Sequence, residues 1–228
     1  MVAELEQQLE NRTAFVADFS HELKTPMTSV IGYADILRTH VLDEHDKFMY
    51  ADRIFKNAKR MENLSVKMLR MLKLSQTEPT LEPVESERIE RGIRQMFENG
   101  ENLDINSEKG IKILCDYNLL LTLLRNLIEN AIKYNYDNGW VRVSLNADHK
   151  FFYLKVSDSG VGIPEELQDS IFERFYRVDK GRSRETGGTG LGLAIVKKII
   201  LMHHGTIKMH SEEDVGTTFT VRIPLNTR

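Results

Sequence analysis

Over its first 76 residues the chain repeats its apolar positions at alternating steps of three and four, a spacing that suits a helix and not a strand. Val16, Phe19, Leu23, Pro26, Val30, Tyr33 and Leu37 keep that step in one segment. Ala51, Ile54, Ala58, Met61, Ser65, Met68, Leu72 and Ser75 keep it in a second. Each set is a heptad seam. Residues 39–47, THVLDEHDK, carry no such pattern and are short enough for an antiparallel turn. The spacing therefore predicts an all-α helical hairpin over 1–76. One hairpin buries little by itself, so the seams ask for a partner. That partner is either a second copy, giving a homodimer with a four-helix bundle, or the remainder of the same chain. The homodimer is the expectation.

Past residue 76 the pattern changes. SQTEPTLEPVESER is charged and broken by Pro79 and Pro83, which predicts an exposed linker over 77–86. In 87–228, IKILCD reads as a strand running into a helix N-cap at Asp116, and NLLLTLLRNLIENAIKY as the helix. WVRVSLNA and FFYLKVSD alternate as half-buried strands around the turn DHK. GLGLAIVKKIILMHH is an apolar helix behind a glycine cluster, and TIKMHS and TTFTVRIP form a last hairpin about EEDVG. Strands interleaved with helices predict an α+β sandwich, a mixed sheet with helices on one face.

Charge and composition narrow the partners. A net charge of −3 offers no overall basic field for nucleic acid. The longest apolar run, LLLTLLRNLI at 119–128, is too short to span a bilayer and contains Arg125, so no direct membrane contact is expected of this segment. The polar start MVAELEQQLENR does not resemble a signal peptide, and Leu5 and Leu9 already keep helical spacing, which suggests a piece of a longer protein. Cys115 is the sole cysteine, so no disulfide forms within one chain and a reducing compartment fits.

The first helix carries HELKTP at 21–26. Proline inside a helix removes a hydrogen bond and costs about 3 kcal/mol. His21 falls opposite the seam, with Asp18, Glu22 and Thr25 expected on the same exposed face. A neutral imidazole offers a nucleophilic nitrogen, and a carboxylate holding the other nitrogen's proton, here Glu22, raises its nucleophilicity. An exposed histidine among acids is ordinarily a solvated surface residue. The proline one turn away is what argues for a site.

Three stretches in the second half belong together. NLIENAIKY sets Asn126 and Asn130 four apart on a helix, with Lys133 and Tyr134 a turn further; a side-chain carbonyl suits Mg²⁺ and a lysine suits phosphate. DSGVGIP offers Asp158 as an acceptor for an adenine amino group, with Gly160 and Gly162 letting backbone approach a flat ring. GGTGLGLAIV opens a helix with Gly188, Gly190 and Gly192, an arrangement that binds phosphate. The segment before it, YRVDKGRSRETGG, carries Lys180, Arg182 and Arg184 and reads as a lid over anionic phosphates, or as a solvated loop.

Taken in order, FSHELKTP, NLIENAIKY, DSGVGIP, IFERFYR and GGTGLGLAIV closely resemble the phosphoacceptor box, N box, first glycine box, F box and second glycine box of the bacterial sensor histidine kinases of two-component signalling. The resemblance implies a dimerising phosphoacceptor hairpin joined to an ATP-binding Bergerat fold. It implies that His21 accepts the γ-phosphoryl group of ATP, with Glu22 as base and Thr25 positioning a water for dephosphorylation of the partner. Asn130 would bind Mg²⁺ beside Asn126, Lys133 would touch phosphate and Tyr134 would lie near adenine. Asp158 would read the adenine amino group, with Gly160 and Gly162 against the ring. Phe172 and Phe175 would anchor the lid, Arg182 would lie on it, and Gly188, Thr189, Gly190, Leu191 and Gly192 would surround the phosphates. The implied partner is the receiver domain of a response regulator, and the implied location is the cytoplasmic portion of a membrane-anchored sensor. Asn135 departs from the family's usual threonine or serine after the tyrosine, and is still polar. A nucleotide-binding scaffold without transfer and a plain GHKL ATPase are the competing classes, and phosphate trapped on histidine separates them. Pro26 is expected to let the helix bend toward ATP, so Pro26→Ala should change the ratio of kinase to phosphatase activity; an unchanged ratio would remove that role.

Overall fold

The computed structural model describes residues 2–97, 102–178 and 188–225. Helix α1 (Val2–Thr39) and helix α2 (Glu44–Leu74) form an antiparallel hairpin. Its turn is shorter than the sequence pattern suggests. Asp43 accepts a hydrogen bond from the Asp46 N–H at 2.8 Å and starts α2 there, inside the stretch expected to be loop. At the turn end Tyr33 and Tyr50 stack with ring centroids 5.7 Å apart. α1 runs through Pro26 without interruption, and Pro26 is buried.

The linker expected over 77–86 is also shorter. Strand β1 (Glu82–Glu85) lies within it and pairs antiparallel with β3 (Lys112–Cys115), burying Val84. Helix α3 (Ser86–Met96) and strand β2 (Leu103–Ser107) follow β1, and neither was read from the sequence. The main sheet has the order β2-β4-β5-β7-β6, with β4 (Val141–Ala147), β5 (Phe151–Asp158), β6 (Thr206–Glu212) and β7 (Gly216–Pro224). β2 is parallel to β4 and the other pairs are antiparallel, so the sheet is mixed as expected.

One face of this sheet is apolar. Val143, Leu145, Phe152, Leu154, Val156, Val221 and Ile223 point to one side at period two and are buried. Against them pack α3, helix α4 (Tyr117–Lys133) and helix α5 (Gly192–Met202), through side chains such as Ile93, Leu124, Leu127 and Ile199. Each such side chain contributes about 1.5–3 kcal/mol by leaving water. Of the seam residues, Phe19, Leu23, Met68 and Leu72 pack half-buried against the common core, and the hairpin's other apolar side chains divide between the two partners that the sequence allowed. Phe15, Leu64, Met71 and Leu74 are buried in one core with the α/β unit, while Phe48 and Phe55 remain 75% and 62% exposed on the single chain.

His203 bolts the helical layer together. Its Nδ1 lies 2.8 Å from the Ile199 carbonyl and its Nε2 accepts the Asp116 N–H at 3.0 Å, which fixes a neutral tautomer protonated at Nδ1. Asp116 in turn caps α4 through the Leu119 N–H and accepts the Thr80 N–H on its other oxygen. Burial pushes the His203 imidazole below its ordinary range, outweighing the Ile199 carbonyl and Asp116, which act the other way. The folded state thus binds fewer protons there than the unfolded one. The stabilisation is complete above the ordinary histidine pKa of about 6.5 and is lost as pH falls below it. Melting temperatures measured from about pH 7 to about pH 5 should decline, and His203→Gln should flatten that decline.

Candidate active site

A cavity of ≈ 390 Å³ opens between the C-terminal end of α4, the β5 turn and the glycine-rich start of α5. Asn130, Lys133, Tyr134, Asp158, Gly162, Gly188, Thr189, Gly190 and Gly192, all expected from the sequence, line it. The fold brings them together because α4 ends at Lys133, β5 ends at Asp158 and α5 begins at Gly192, all at one edge of the sandwich.

Asp158 is held by backbone. The Gly160 and Thr217 N–H groups donate to its Oδ1 at 2.9 and 3.2 Å, which leaves Oδ2 to the cavity. Burial pushes its carboxyl above the ordinary carboxylate range, and these two bonds oppose that. The glycines serve chain packing as much as ligand approach, which amends the sequence reading. A Cβ at Gly160 would come 2.3 Å from the Tyr134 carbonyl oxygen, and one at Gly162, whose φ is +68°, 2.0 Å from that of Glu212. Gly160 lies behind the cavity wall rather than among its lining residues.

The other side is cationic. Lys133 sits 5.0 Å from the centroid of the Tyr134 ring, and Arg177 also lines the cavity. Burial lowers the pKa of Lys133, and the like charges of Lys67 and Arg177 lower it further. Asp158 thus shares the cavity with three cations, Lys67, Lys133 and Arg177, and with a second carboxylate, Glu129. Leu191 precedes α5 without a side-chain cap, and the helix's first turn, through Gly192 and Leu193, faces the same space. The Phe175 N–H donates to the Gly190 carbonyl at 2.8 Å, and Arg177 Nη1 to that of Gly188 at 3.1 Å. These bonds tie the segment ending at Arg177 to the glycine-rich segment. Lys180, Arg182 and Arg184 lie outside the described residues.

Several expected residues stand elsewhere. Asn126 is buried, donates to the Thr122 carbonyl at 2.8 Å, and does not line the cavity; its Oδ1 packs where a Cβ on Gly192 would be, 3.0 Å away. Leu191 is fully buried, and Phe172 rests edge-on against Phe219 at 6.2 Å. His21 and Thr25 are exposed on α1 as expected. Glu22 is not on their face. Its carboxylate accepts from Arg177 Nη2 and lies 3.5 Å from Arg60 Nη2, because two nearly buried guanidinium groups need an anion more than the exposed imidazole does. Among residues that the sequence reading passed over, Glu129, Ile163, Ile171, Arg177, Thr217 and Lys67 line the cavity. Arg177 lies inside the quoted IFERFYR stretch, so its position was legible and its partner was not.

Residues 115–227 match the family model of histidine kinase-, DNA gyrase B- and HSP90-like ATPases, and residues 11–77 match that of the His Kinase A (phospho-acceptor) domain. The chain belongs to the sensor histidine kinases. It is 35% identical over 220 residues to the sensor-like histidine kinase SenX3 of Mycolicibacterium smegmatis, a match covering 93% of this chain and 57% of that protein. A solved mycobacterial sensor histidine kinase, MprB, matches 64% of this chain and 100% of its own at 30% identity, with a TM-score of 0.55. Histidine kinase ThkA, solved with response regulator protein TrrA, matches the fold over 97% of this chain and 64% of its own, with a TM-score of 0.79 at 22% identity. The chain spans about half the length of the curated relatives it matches. Its family's ATP use accords with a cavity lined by the Asp158 carboxylate, the cations Lys133 and Arg177 and a glycine-rich helix start.

Asp158→Asn tests the acidic side. The amide keeps the Oδ1 acceptor that holds the turn and replaces Oδ2 with a donor. The melting temperature should hold, while ATP binding measured by calorimetry should weaken about 10- to 100-fold, the loss expected of a hydrogen bond to a charged group.

Proposed function

We propose that the chain is the catalytic part of a two-component sensor histidine kinase. It phosphorylates itself on His21 from ATP, passes the phosphoryl group to an aspartate in the receiver domain of a response regulator, and also dephosphorylates that regulator. The observation that carries this reading is the convergence of Asp158, Lys133, Arg177 and the glycine-rich start of α5 on one cavity. Asp158 suits an adenine amino group, and Lys133, Arg177 and the open first turn of α5 suit a phosphate chain.

In the transfer a ring nitrogen of His21 attacks the γ-phosphorus in line, the bond to the bridging oxygen breaks, and ADP leaves. Glu22 takes the proton of the other ring nitrogen. In the arrangement described, Glu22 is held by Arg60 and Arg177 instead, so transfer begins with the parting of that ion pair. Thr25, exposed one turn on, positions a water for the phosphatase step. Asn130 is the cavity's side-chain amide, and no group of three or more His, Cys, Asp or Glu is placed to hold a metal among the described residues. One amide oxygen together with phosphate oxygens and water is a fitting set for Mg²⁺, which would neutralise charge on the transferring group. Arg182 is read as a phosphate contact from the sequence alone.

Dimerisation follows from the apolar side chains that the single chain leaves uncovered on the hairpin, Met27, Ile31, Phe48, Phe55 and Leu69. The fold-level likeness to ThkA, solved with its response regulator, supports a receiver domain as the acceptor. Among the described residues no helix is long and apolar enough to cross a membrane, and membrane anchoring is assigned to the rest of a longer sensor. The functional division is a phosphoacceptor hairpin over 1–76, a connection over 77–86 whose end contributes β1, and an ATP-binding unit over 87–228.

Purified protein given Mg-ATP labelled at the γ position should gain label that is acid-labile and base-stable, and His21→Ala should gain none. Label on neither protein, despite ATP binding, would leave the scaffold reading standing. Released phosphate without trapped label would favour the plain ATPase.

A further inference from the structure

Lys67 belongs to α2, yet it lines the cavity with Glu129, Asn130 and Lys133 of α4. Its place on the helix is unusual for a lysine. Leu64, Met71 and Leu74, at −3, +4 and +7, share its side of α2 and are 2%, 6% and 7% exposed. That side packs on the α/β unit, and an apolar residue would complete it. Lys67 is half-buried and makes no hydrogen bond or ion pair among the described residues. Burial pushes its ammonium below the ordinary lysine range, with Glu129 acting the other way and Arg70 adding to the fall.

Lys67 also adds to a local excess of positive charge. Lys133 feels both Lys67 and Arg177, and the Nε of Arg177 is buried without a hydrogen-bond partner among the described residues. Glu22 answers one face of Arg177, and Glu129 is the carboxylate of the cavity lining nearest Lys67 in effect. Partly buried like charges repel each other and have lost hydration, and a bound polyanion relieves both costs.

We propose that Lys67 is a nucleotide-binding residue supplied by the helical hairpin, donating to the phosphate chain of ATP or ADP, so that the nucleotide is gripped by the hairpin and the α/β unit together. The proposal rests on the nucleotide reading of the cavity given above. Linkage makes it reciprocal: whatever seats the α/β unit on α2 tightens nucleotide binding, and nucleotide seats the unit.

The test is calorimetric titration of the whole chain with ATP, ADP and adenosine, for the unsubstituted protein, Lys67→Gln and Lys67→Arg. Lys67→Gln should bind ATP and ADP about 10- to 100-fold more weakly and adenosine unchanged, as for loss of one charged hydrogen bond to phosphate. Lys67→Arg should restore most of the affinity. The melting temperature of nucleotide-free Lys67→Gln should be no lower than that of the unsubstituted chain, since a poorly compensated cation is removed. Unchanged ATP affinity in Lys67→Gln would overturn the proposal, and so would an equal loss for adenosine, which marks a change in cavity shape rather than a lost phosphate contact. Failure of the unsubstituted chain to bind any of the three would overturn the nucleotide reading itself, and this inference with it.

Discussion

One carboxylate holds the two halves of this molecule against each other. Glu22 comes from α1, Arg60 from α2 and Arg177 from the segment before the glycine cluster, and all three are largely withdrawn from water. Arg177 is 5% exposed and also donates to the Gly188 carbonyl, so the same side chain touches the hairpin and the wall of the cavity. Phe15 adds an apolar contact beside it, with Phe175 at 5.9 Å between centroids and Arg174 5.1 Å over its ring. Deleting one member of such a set strands a buried charge, at about 3–5 kcal/mol. Parting the halves as whole units strands none of the three charges, because all return to water; its cost is the apolar surface of Phe15, Leu64, Met71 and Leu74 that is uncovered. The contact is thus firm against substitution and open to movement, which is what a kinase needs if its histidine must leave one partner and meet another.

The α/β unit has its own fixed point. Asp116 and His203 join the end of β3, the start of α4 and the end of α5, so the helix bearing Asn130 and Lys133 is registered against the helix whose first turn faces them. The thiol of Cys115, next in the chain, is buried and pushed up to about 12, mainly by burial, and takes no part in chemistry. At this hub the imidazole is neutral and the Asp116 carboxylate is spent on backbone N–H groups.

Much of this was legible in the sequence, and the exceptions share a cause. The helices of the hairpin, α4, α5 and five of the strands declare themselves through local period and turn residues. α3 did carry a signal, since Ile89, Ile93 and Phe97 stand four apart, but the neighbouring prolines and charges read as linker. β1 is held by pairing with β3 and by one buried valine, and neither is local information. Glu22 was placed on the wrong face because its partners lie 38 and 155 residues away in the chain. The glycines were correctly singled out and given too narrow a purpose, since carbonyls that approach Gly160 and Gly162 are known only once the chain has folded. Lys67 raised no question in the sequence, because a lysine on a helix is ordinary until the surface it meets is known.

The bond from the Thr80 N–H to Asp116 also sets a length. α2 ends at Leu74, and Thr80 is already fastened to the start of α4, so residues 75–79 are the whole leash between hairpin and ATP-binding unit. Fully extended they reach about 20 Å. The unit therefore pivots about the foot of α2 and cannot wander. A histidine within the sweep of the tethered unit meets ATP at an effective concentration in the millimolar range, and one beyond that sweep does not. The geometry of a short arm, rather than affinity between the two halves, selects which histidine is reached.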